Sequence, residues 1–434
     1  MKIKFKNKFL LGSASAATQI EGGELDSNWM QFFKEGQVRD NSSPAKATEH
    51  WKYWKSDNEL MVQMGMQIAR VGLEWARIFP EEDKIDEDAL QQYLDEINFL
   101  QKNGIKVLLT IHHFSNPMWF EKKGGWIRFE NVKYFLQLVQ VVTEKFASVV
   151  SEYITINEPN VYATNSYFFG EWYPCHKSMS ETFAVMENMA YAHIKAYEMI
   201  HVARKNLGFN ETEGTNKTMV SFANHLRVFI PKNRFNPFHR LASNFSEYLF
   251  QSALSKAMTL GEFSFPLKNR GGVKKGVYVD FHALNYYSRS CVSGFNDGAM
   301  PNSPRNDLDW EIYPRGIVEC AEKMYRLIEK PIWVTENGTC DNEDKFRSRY
   351  IYEHLAEIVK SPLPIERYYH WCFIDNWEWK EGEVPRFGLV HNDYTTQKRS
   401  IKTAGKFFSQ MIRKQGVTEE MYNEFVKEQE YKIK

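Results

Sequence analysis

Residues 68–114 read IARVGLEWARIFPEEDKIDEDALQQYLDEINFLQKNGIKVLLTIHHF. A β-rich apolar run, Ile68–Trp75, opens this stretch and a second, Lys106–Phe114, closes it. Between them Ala89, Tyr93, Ile97 and Leu100 recur at the spacing of one helix face. Asp86 stands where a side chain caps the first free N–H groups of a helix, and Gly104 where a left-handed residue ends one. A strand, a helix and a second strand in succession make the crossover that sets two strands parallel. The unit recurs: strands are expected at Phe9–Ala17, Tyr153–Asn157, Met219–Leu226, Phe281–Ser288, Pro331–Glu336 and Tyr368–Asp375. Val132, Phe135, Leu138, Val139, Val142 and Phe146 mark another helix, and Met186–Leu207 a long amphipathic one. Eight near-continuous apolar strands separated by helices indicate an α/β protein whose parallel sheet is covered on both faces. Eight units with no second domain favour a closed (β/α)8 barrel over a doubly wound sheet, so residues 1–434 are read as a single barrel.

Composition narrows the function classes. By length alone 434 residues would suit two or three domains, but a barrel with insertions reaches the same size. The 43% hydrophobic and 25% charged fractions exclude disordered and collagen-like chains. Lys+Arg 55 balances Asp+Glu 55, which leaves no electrostatic footprint for nucleic acid or an anionic membrane, and neither is expected as a partner. No apolar run reaches the length of a membrane span. Lys2, Lys4, Lys6 and Lys8 ahead of FLLGSASAA mimic a secretion signal, but the apolar core is only Phe9, Leu10 and Leu11. The five cysteines are odd in number and form no C-x-x-C pair. A cytoplasmic location with free thiols is therefore expected, and the sequons at Asn41, Asn210, Asn216 and Asn244 are read as silent.

In a barrel of this kind function gathers where the strands end. Those ends carry His112–His113, Asn157–Glu158, Asn285–Tyr286–Tyr287, Glu336–Asn337, and Asp375–Asn376 with Glu378. Glu158 and Glu336, on the fourth and seventh strands, can face each other across the mouth. Glycosidic cleavage uses such a pair, one carboxyl protonating the leaving oxygen while the other attacks or activates water. Pro159 is expected to hold Glu158 extended.

The segments FLLGSASAATQIEGG, ARVGLEWARIFP, TIHHFSNPMWF, TINEP, LNYYS, VTENG and HWCFIDNWEWKEGEVPRFGLV, in that order from Phe9 to Val390, resemble glycoside hydrolase family 1, the retaining β-glucosidase family. The resemblance implies that Glu158 is the general acid/base and Glu336 the nucleophile. It implies that Asn157 bonds the sugar 2-hydroxyl, that Arg70 and Tyr287 hold Glu336 ionised, and that Asn285 supports the pair. Glu158, repelled by that charge, should keep its proton until the glycosyl-enzyme forms. Gln19, His113, Glu378 and Trp379 are the implied sugar contacts, with Trp371 as the floor under the ring and Phe387 beside it. Trp119 and Trp172 fit either the leaving-group side or rim packing, and Asn224 is a further reach from the fifth strand.

Departures from the family pattern refine the substrate. Members that cleave 6-phosphoglycosides carry a small residue at the Glu378 position and a phosphate-binding Lys where Pro385 stands, so an unphosphorylated β-glucoside or short oligosaccharide is expected. Glu74, Met30 and Cys175 differ from the commoner residues at their positions. The expected activity is a retaining exo-β-glycosidase that acts on a small-molecule β-glycoside, with no cofactor and no metal: adjacent His112 and His113 point to opposite faces of a strand. The alternatives are a 6-phospho-β-glucosidase, a transglycosidase working at the same site, and a non-catalytic sugar-binding barrel.

Overall fold

The computed structural model describes residues 1–209, 216–294 and 296–434; Asn210, which opens one sequon, lies outside them. The barrel strands are β1 Leu10–Ala14, β2 Ile68–Gly72, β3 Lys106–His112, β4 Glu152–Asn157, β5 Met219–Pro231, β6 His282–Ser293, β7 Ile332–Asn337 and β8 Ile365–Trp371. Each pairs in parallel with the next, and β8 returns to β1 in a register running from Arg367 opposite Leu10 to Trp371 opposite Ala14. Among the described residues, eight parallel strands thus close into a barrel with helices between them. At Gly12 β1 and β2 approach closely: a Cβ there would lie 1.7 Å from the Ile68 carbonyl oxygen.

The main helices are α1 His50–Met64, α2 Glu87–Lys102, α3 Val132–Phe146, α4 Met179–Asn206, α5 Pro237–Glu247, α6 Ala253–Leu260, α7 Gly316–Leu327, α8 Arg347–Lys360 and α9 Thr403–Lys414. In α2 the Asp86 carboxylate accepts from the Ala89 N–H at 2.8 Å, and Gly104 follows the helix with φ of 79°. Its buried face is Ala89, Leu90, Tyr93, Ile97 and Leu100, laid against the barrel. Each large apolar side chain so buried stabilises the fold by about 1.5–3 kcal/mol.

Helix α4 and strands β5, β6 and β8 differ from their sequence expectation. Helix α4 starts at Met179 rather than Met186, because Ser178 caps it by accepting from the Glu181 N–H. Strand β5 runs past Leu226 to Pro231, and β6 to Ser293; beyond a register shift the pair continues as Val228 opposite Arg289 through Pro231 opposite Val292. Arg227 and Arg289 interrupt the apolar runs there. Strand β8 begins earlier and ends at Trp371, because Arg367 is buried by pairing rather than exposed as a charged residue usually is.

That pairing crosses the lumen. Arg367 on β8 donates to both carboxylate oxygens of Glu152, with Nη2 to Oε1 at 2.7 Å, and Glu152 begins β4 on the opposite side of the ring. The Arg367 guanidinium also lies 3.5 Å from the Trp333 ring centre. This tie spans the barrel at the N-terminal ends of its strands, opposite the mouth.

Candidate active site

At the mouth, register shifts set which side chains enter the lumen. Along β4 the pairing to β5 slips between Ile154 and Asn157, so Thr155 faces out to His193 of α4 while Asn157 faces in. Along β7 a slip between Val334 and Glu336 lets consecutive residues, Thr335 and Glu336, both reach lumen partners. Bulges of this kind re-aim side chains at barrel rims. Glu158 departs from expectation: it is left-handed, with φ 41° and ψ 57°, not extended. The Pro159 ring bars the right-handed helical region, and the turn into the short helix Pro159–Ala163 takes the left-handed one. For a residue other than glycine that costs about 1–3 kcal/mol. The Glu158 N–H bonds the Ala223 carbonyl at 2.9 Å and its carbonyl accepts from Tyr162 at 3.0 Å, which fix the turn.

Arg70, fully buried on β2, organises the site. Its Nε donates to Thr110 Oγ1 (2.9 Å), Nη2 to Asn157 Oδ1 (2.6 Å) and Nη1 to Glu336 Oε1 (2.6 Å). The Tyr287 hydroxyl donates to the other Glu336 oxygen, Oε2, at 2.6 Å. Asn285 Nδ2 bridges Asn157 Oδ1 (3.1 Å) and Glu158 Oε1 (2.7 Å), while Thr335 fixes its carbonyl. His225 Nδ1 lies 3.0 Å from the same Glu158 oxygen. Both Glu336 oxygens therefore have donors, whereas those of Glu158 converge on Oε1.

Burial raises the Glu336 carboxyl to about 7, helped by the charge of Glu158 and opposed by Arg70 and Tyr287. Burial also raises Glu158, but His225, Asn285 and Arg70 more than offset it and leave that carboxyl below its ordinary range. The two groups titrate as a pair. Without a sugar bound the bias runs opposite to the expected order: burial raises Glu336, and His225 is the strongest of the groups that lower Glu158.

The remaining sequence-derived residues divide. Gln19, His113, Trp371, Trp379 and Phe387 are buried and Glu378 is half-buried, all close to this pair, and all but Gln19 line one cleft of about 290 Å³ with Glu158, Glu336 and Tyr287. Gln19 donates to Asn376 Oδ1 (3.2 Å) and to the Trp377 carbonyl (2.8 Å) at the edge of this cleft. His113 Nε2 meets Asn157 Nδ2 at 2.9 Å; its Nδ1 and Gln19 Oε1 are buried without a protein hydrogen-bond partner among the described residues. Polar atoms left so are ready for ligand hydroxyls. Trp371 Nε1 donates to Glu378 Oε1 at 3.2 Å, and burial pushes Glu378 up to about 8. The His113 ring lies between Trp371 and Trp379, its centre 5.8 Å from each.

Trp119 and Asn224 are not part of the cleft. Trp119 donates to the Phe79 carbonyl at 2.9 Å and packs on Trp75 and Tyr134. Asn224 faces outward and donates to Ser255 of α6 at 2.6 Å. Its neighbour His225 points inward instead and, like Arg227 and Trp310, lines the cleft although sequence reasoning missed it. Arg227 Nε donates to His225 Nε2 at 3.1 Å, which leaves the ring proton on Nδ1, facing Glu158. Trp172 does line the cleft. His112 lies behind the strand, bonded to Asn116 at 2.8 Å inside an aromatic cage. Glu74 now has a role: it caps the turn Trp75–Ile78 and accepts from Thr18 and Ser115, joining three loops. Cys175, in place of a usual glycine, has φ of 63°, where glycine is favoured; Met30 is buried in the entrance layer, and nothing in its surroundings explains the choice of residue. Among the described residues no group of three or more His, Cys, Asp or Glu is arranged to hold a metal ion.

A closed parallel barrel carrying buried carboxylates, tryptophans and orphaned polar groups at its C-terminal mouth defines a carbohydrate-active enzyme. The family model described as Glycosyl hydrolase family 1 matches residues 1–417. The chain belongs to that family and is a glycoside hydrolase. It is similar to β-glucosidase A of Thermotoga maritima, 28% identical over 455 residues that cover 95% of this chain and 99% of the relative. Among solved structures, a β-glycosidase from Pyrococcus horikoshii superposes with a TM-score of 0.86 at 31% identity, covering 98% of each chain. The Thermotoga maritima family 1 β-glucosidase in complex with isofagomine lactam superposes with the same score at 27% identity, covering 96% of this chain and 100% of that one.

Proposed function

We propose that the protein is a retaining exo-β-glycosidase that releases a terminal, unphosphorylated β-glucosyl unit by double displacement, with Glu336 as nucleophile and Glu158 as acid/base. The observation that carries this reading is the unequal donor set on the two carboxyls: Arg70 and Tyr287 grip both oxygens of Glu336, while the donors to Glu158 share Oε1. The grip holds Glu336 oriented and favours its charge. In the first step a Glu336 oxygen bonds to the anomeric carbon as the C–O bond to the leaving group breaks, and Glu158 gives that oxygen its proton. In the second, Glu158 takes a proton from water, whose oxygen displaces Glu336 and restores the original configuration. Asn157, held by Arg70 and Asn285, is set to bond the 2-hydroxyl.

Trp371 and Trp379 offer flat apolar faces to the sugar ring, and Gln19, His113 and Glu378 supply partners for its hydroxyls. A phosphate beside Glu378 would set an anion against an acidic group. The nearby Lys380 is already engaged with Glu171. The likeness to β-glucosidase A of Thermotoga maritima supports glucose as the sugar. Activated alcohols can replace water in the second step, so transfer to sugar acceptors belongs to the same site. Five free cysteines go with a reducing, cytoplasmic setting.

Two kinetic experiments on aryl glycosides test the two parts. Aryl β-glucoside should exceed aryl 6-phospho-β-glucoside in kcat/KM by more than about tenfold, as a misplaced charge is rejected more strongly than a missing methylene. Glu336→Ala should lower kcat/KM by on the order of 10⁴ or more, and azide should restore turnover with product of inverted configuration. Rescue with retained configuration removes Glu336 from the nucleophile's place, and a preference for the phosphorylated substrate overturns the reading of Glu378.

A further inference from the structure

Helix α5 leaves the barrel at its mouth, joined to β5 by residues 232–236. Asn236 caps it by accepting from the Phe238 and His239 N–H groups, and Ser243 faces the protein. Phe238, Leu241 and Phe245, at positions i, i+3 and i+7, form one outward stripe. Phe235 stands at its start. Tyr248, the next position on the stripe, bonds the Phe265 carbonyl and brings Phe265 to its end. These five large apolar side chains are 58–86% exposed. Exposed apolar residues scattered singly need no explanation, but a contiguous run of this size on one helix face does.

The charge around the stripe has one sign. Lys232, Arg234 and Arg240 are exposed within and beside it, and no Asp or Glu occurs from Lys217 to Ser246. The nearby carboxylates, including Glu247 at the end of α5 itself, are already taken: Asp297 by Arg227, Glu247 by Lys323, and Glu262 by Lys256 and Lys275. Lys232, Arg234 and Arg240 form no ion pair among the described residues. A second copy of the chain placed on this face by a two-fold axis would bring like cations together. Anionic headgroups would neutralise them while the acyl boundary received the phenylalanines, which is the recognition pattern of an interfacial amphipathic helix.

We propose that the α5 stripe docks the protein on a bilayer surface bearing anionic lipid. Docking there brings the cleft close to the headgroup layer: beyond Tyr248 the chain reaches Phe250, whose ring contacts His225 at 6.0 Å, and His225 adjoins Glu158. The proposal stands apart from the assignment of the catalytic roles. It also reverses the expectation of no membrane partner, which rested on total charge; a net charge of zero conceals a local excess of cations.

The test is co-sedimentation of the full chain with vesicles of phosphatidylglycerol and phosphatidylcholine in equal parts, against vesicles of phosphatidylcholine alone. The wild-type chain should pellet with the anionic vesicles. The triple variant Phe238→Ser, Leu241→Ser, Phe245→Ser should partition at least about tenfold more weakly. Lys232→Gln, Arg234→Gln, Arg240→Gln should lose the preference for phosphatidylglycerol. Turnover of a water-soluble aryl glucoside, unchanged in both variants, certifies that they are folded. A wild-type chain that stays in the supernatant, or a serine variant that pellets equally well, overturns the proposal. So does a lipid-free dimer, seen by sedimentation velocity, that the serine variant abolishes, since the stripe then belongs to a second copy.

Discussion

His225 is the residue through which this cleft departs most from what its sequence suggests. Its Nδ1–H faces Glu158, and Arg227 holds the other ring nitrogen. Both contacts favour the charged form of Glu158, the group proposed to deliver a proton. Arg70, Asn285 and Tyr287 also donate around the two carboxyls, and Glu378 is a third acidic group in the same cleft. Removing a donor to a carboxylate raises that carboxyl, so in His225→Phe the alkaline limb of the kcat/KM profile should move up by about one pH unit. His225→Asn, which keeps a donor, should move it less. An unmoved limb in the Phe variant would reduce His225 to a packing residue. The residue escaped sequence reading because alternation along a strand offers two faces. The neighbouring Asn224 was read as the inward one, whereas the β5–β6 register sets His225 opposite the inward-facing Asn285 and so gives the lumen to His225. Glu158, Glu336, Arg70 and Tyr287 were legible because they sit in motifs whose order along the chain is itself informative.

At the scale of elements, helices were easier to read than strand ends. The apolar face of α2, Ala89 to Leu100, and the Asp86 cap stand where the 3.6-residue period puts them. The ends of β5, β6 and β8 do not, because partners rather than composition decide how far a strand runs. The same holds for polar joints between helices. His50 on α1 bonds Asp57 at 2.9 Å and Glu96 of α2 at 3.0 Å, with Arg399 on the far side of Asp57. Burial works against the charged ring, but Glu96 and Asp57 outweigh it and raise His50 to about 10. A group that holds its proton more tightly when folded stabilises the fold fully below its unfolded value, near 6.5. That contribution fades as pH climbs from there to about 10. Asp57, lowered despite burial by His50 and Arg399, contributes above its ordinary range and loses that as pH falls. His50→Gln should therefore cost about 3–5 kcal/mol at pH 6 and flatten the decline of Tm between pH 6.5 and 10, followed by calorimetry. A variant whose profile runs parallel to the wild type would contradict this assignment.

For the molecule as a whole, closure was legible in the count of strand–helix units, but the ties across the lumen were not. Nothing in the sequence says that Glu152 and Arg367, 215 positions apart, meet inside the ring. Breaking that buried pair with Glu152→Gln should destabilise the fold by about 3–5 kcal/mol, read as a lower urea midpoint. The kcat/KM of the folded fraction should hold, because the tie lies at the end of the barrel away from Glu158 and Glu336. Loss of kcat/KM in fully folded variant would mean that the tie shapes the mouth.

The seam between β1 and β8 has a further consequence, during synthesis. Leu10 leaves the ribosome long before Arg367, its partner in the register. At typical elongation rates the gap is roughly 20–70 s. For that time β1 has one neighbour instead of two, and the nascent half-ring presents an unpaired, apolar strand edge to its surroundings. Gln19, just after β1, reaches Asn376 and Trp377, which follow β8, only when this seam closes. The cleft is complete only after the last barrel strand has been made and paired with the first, so a growing chain carries an unfinished site until then.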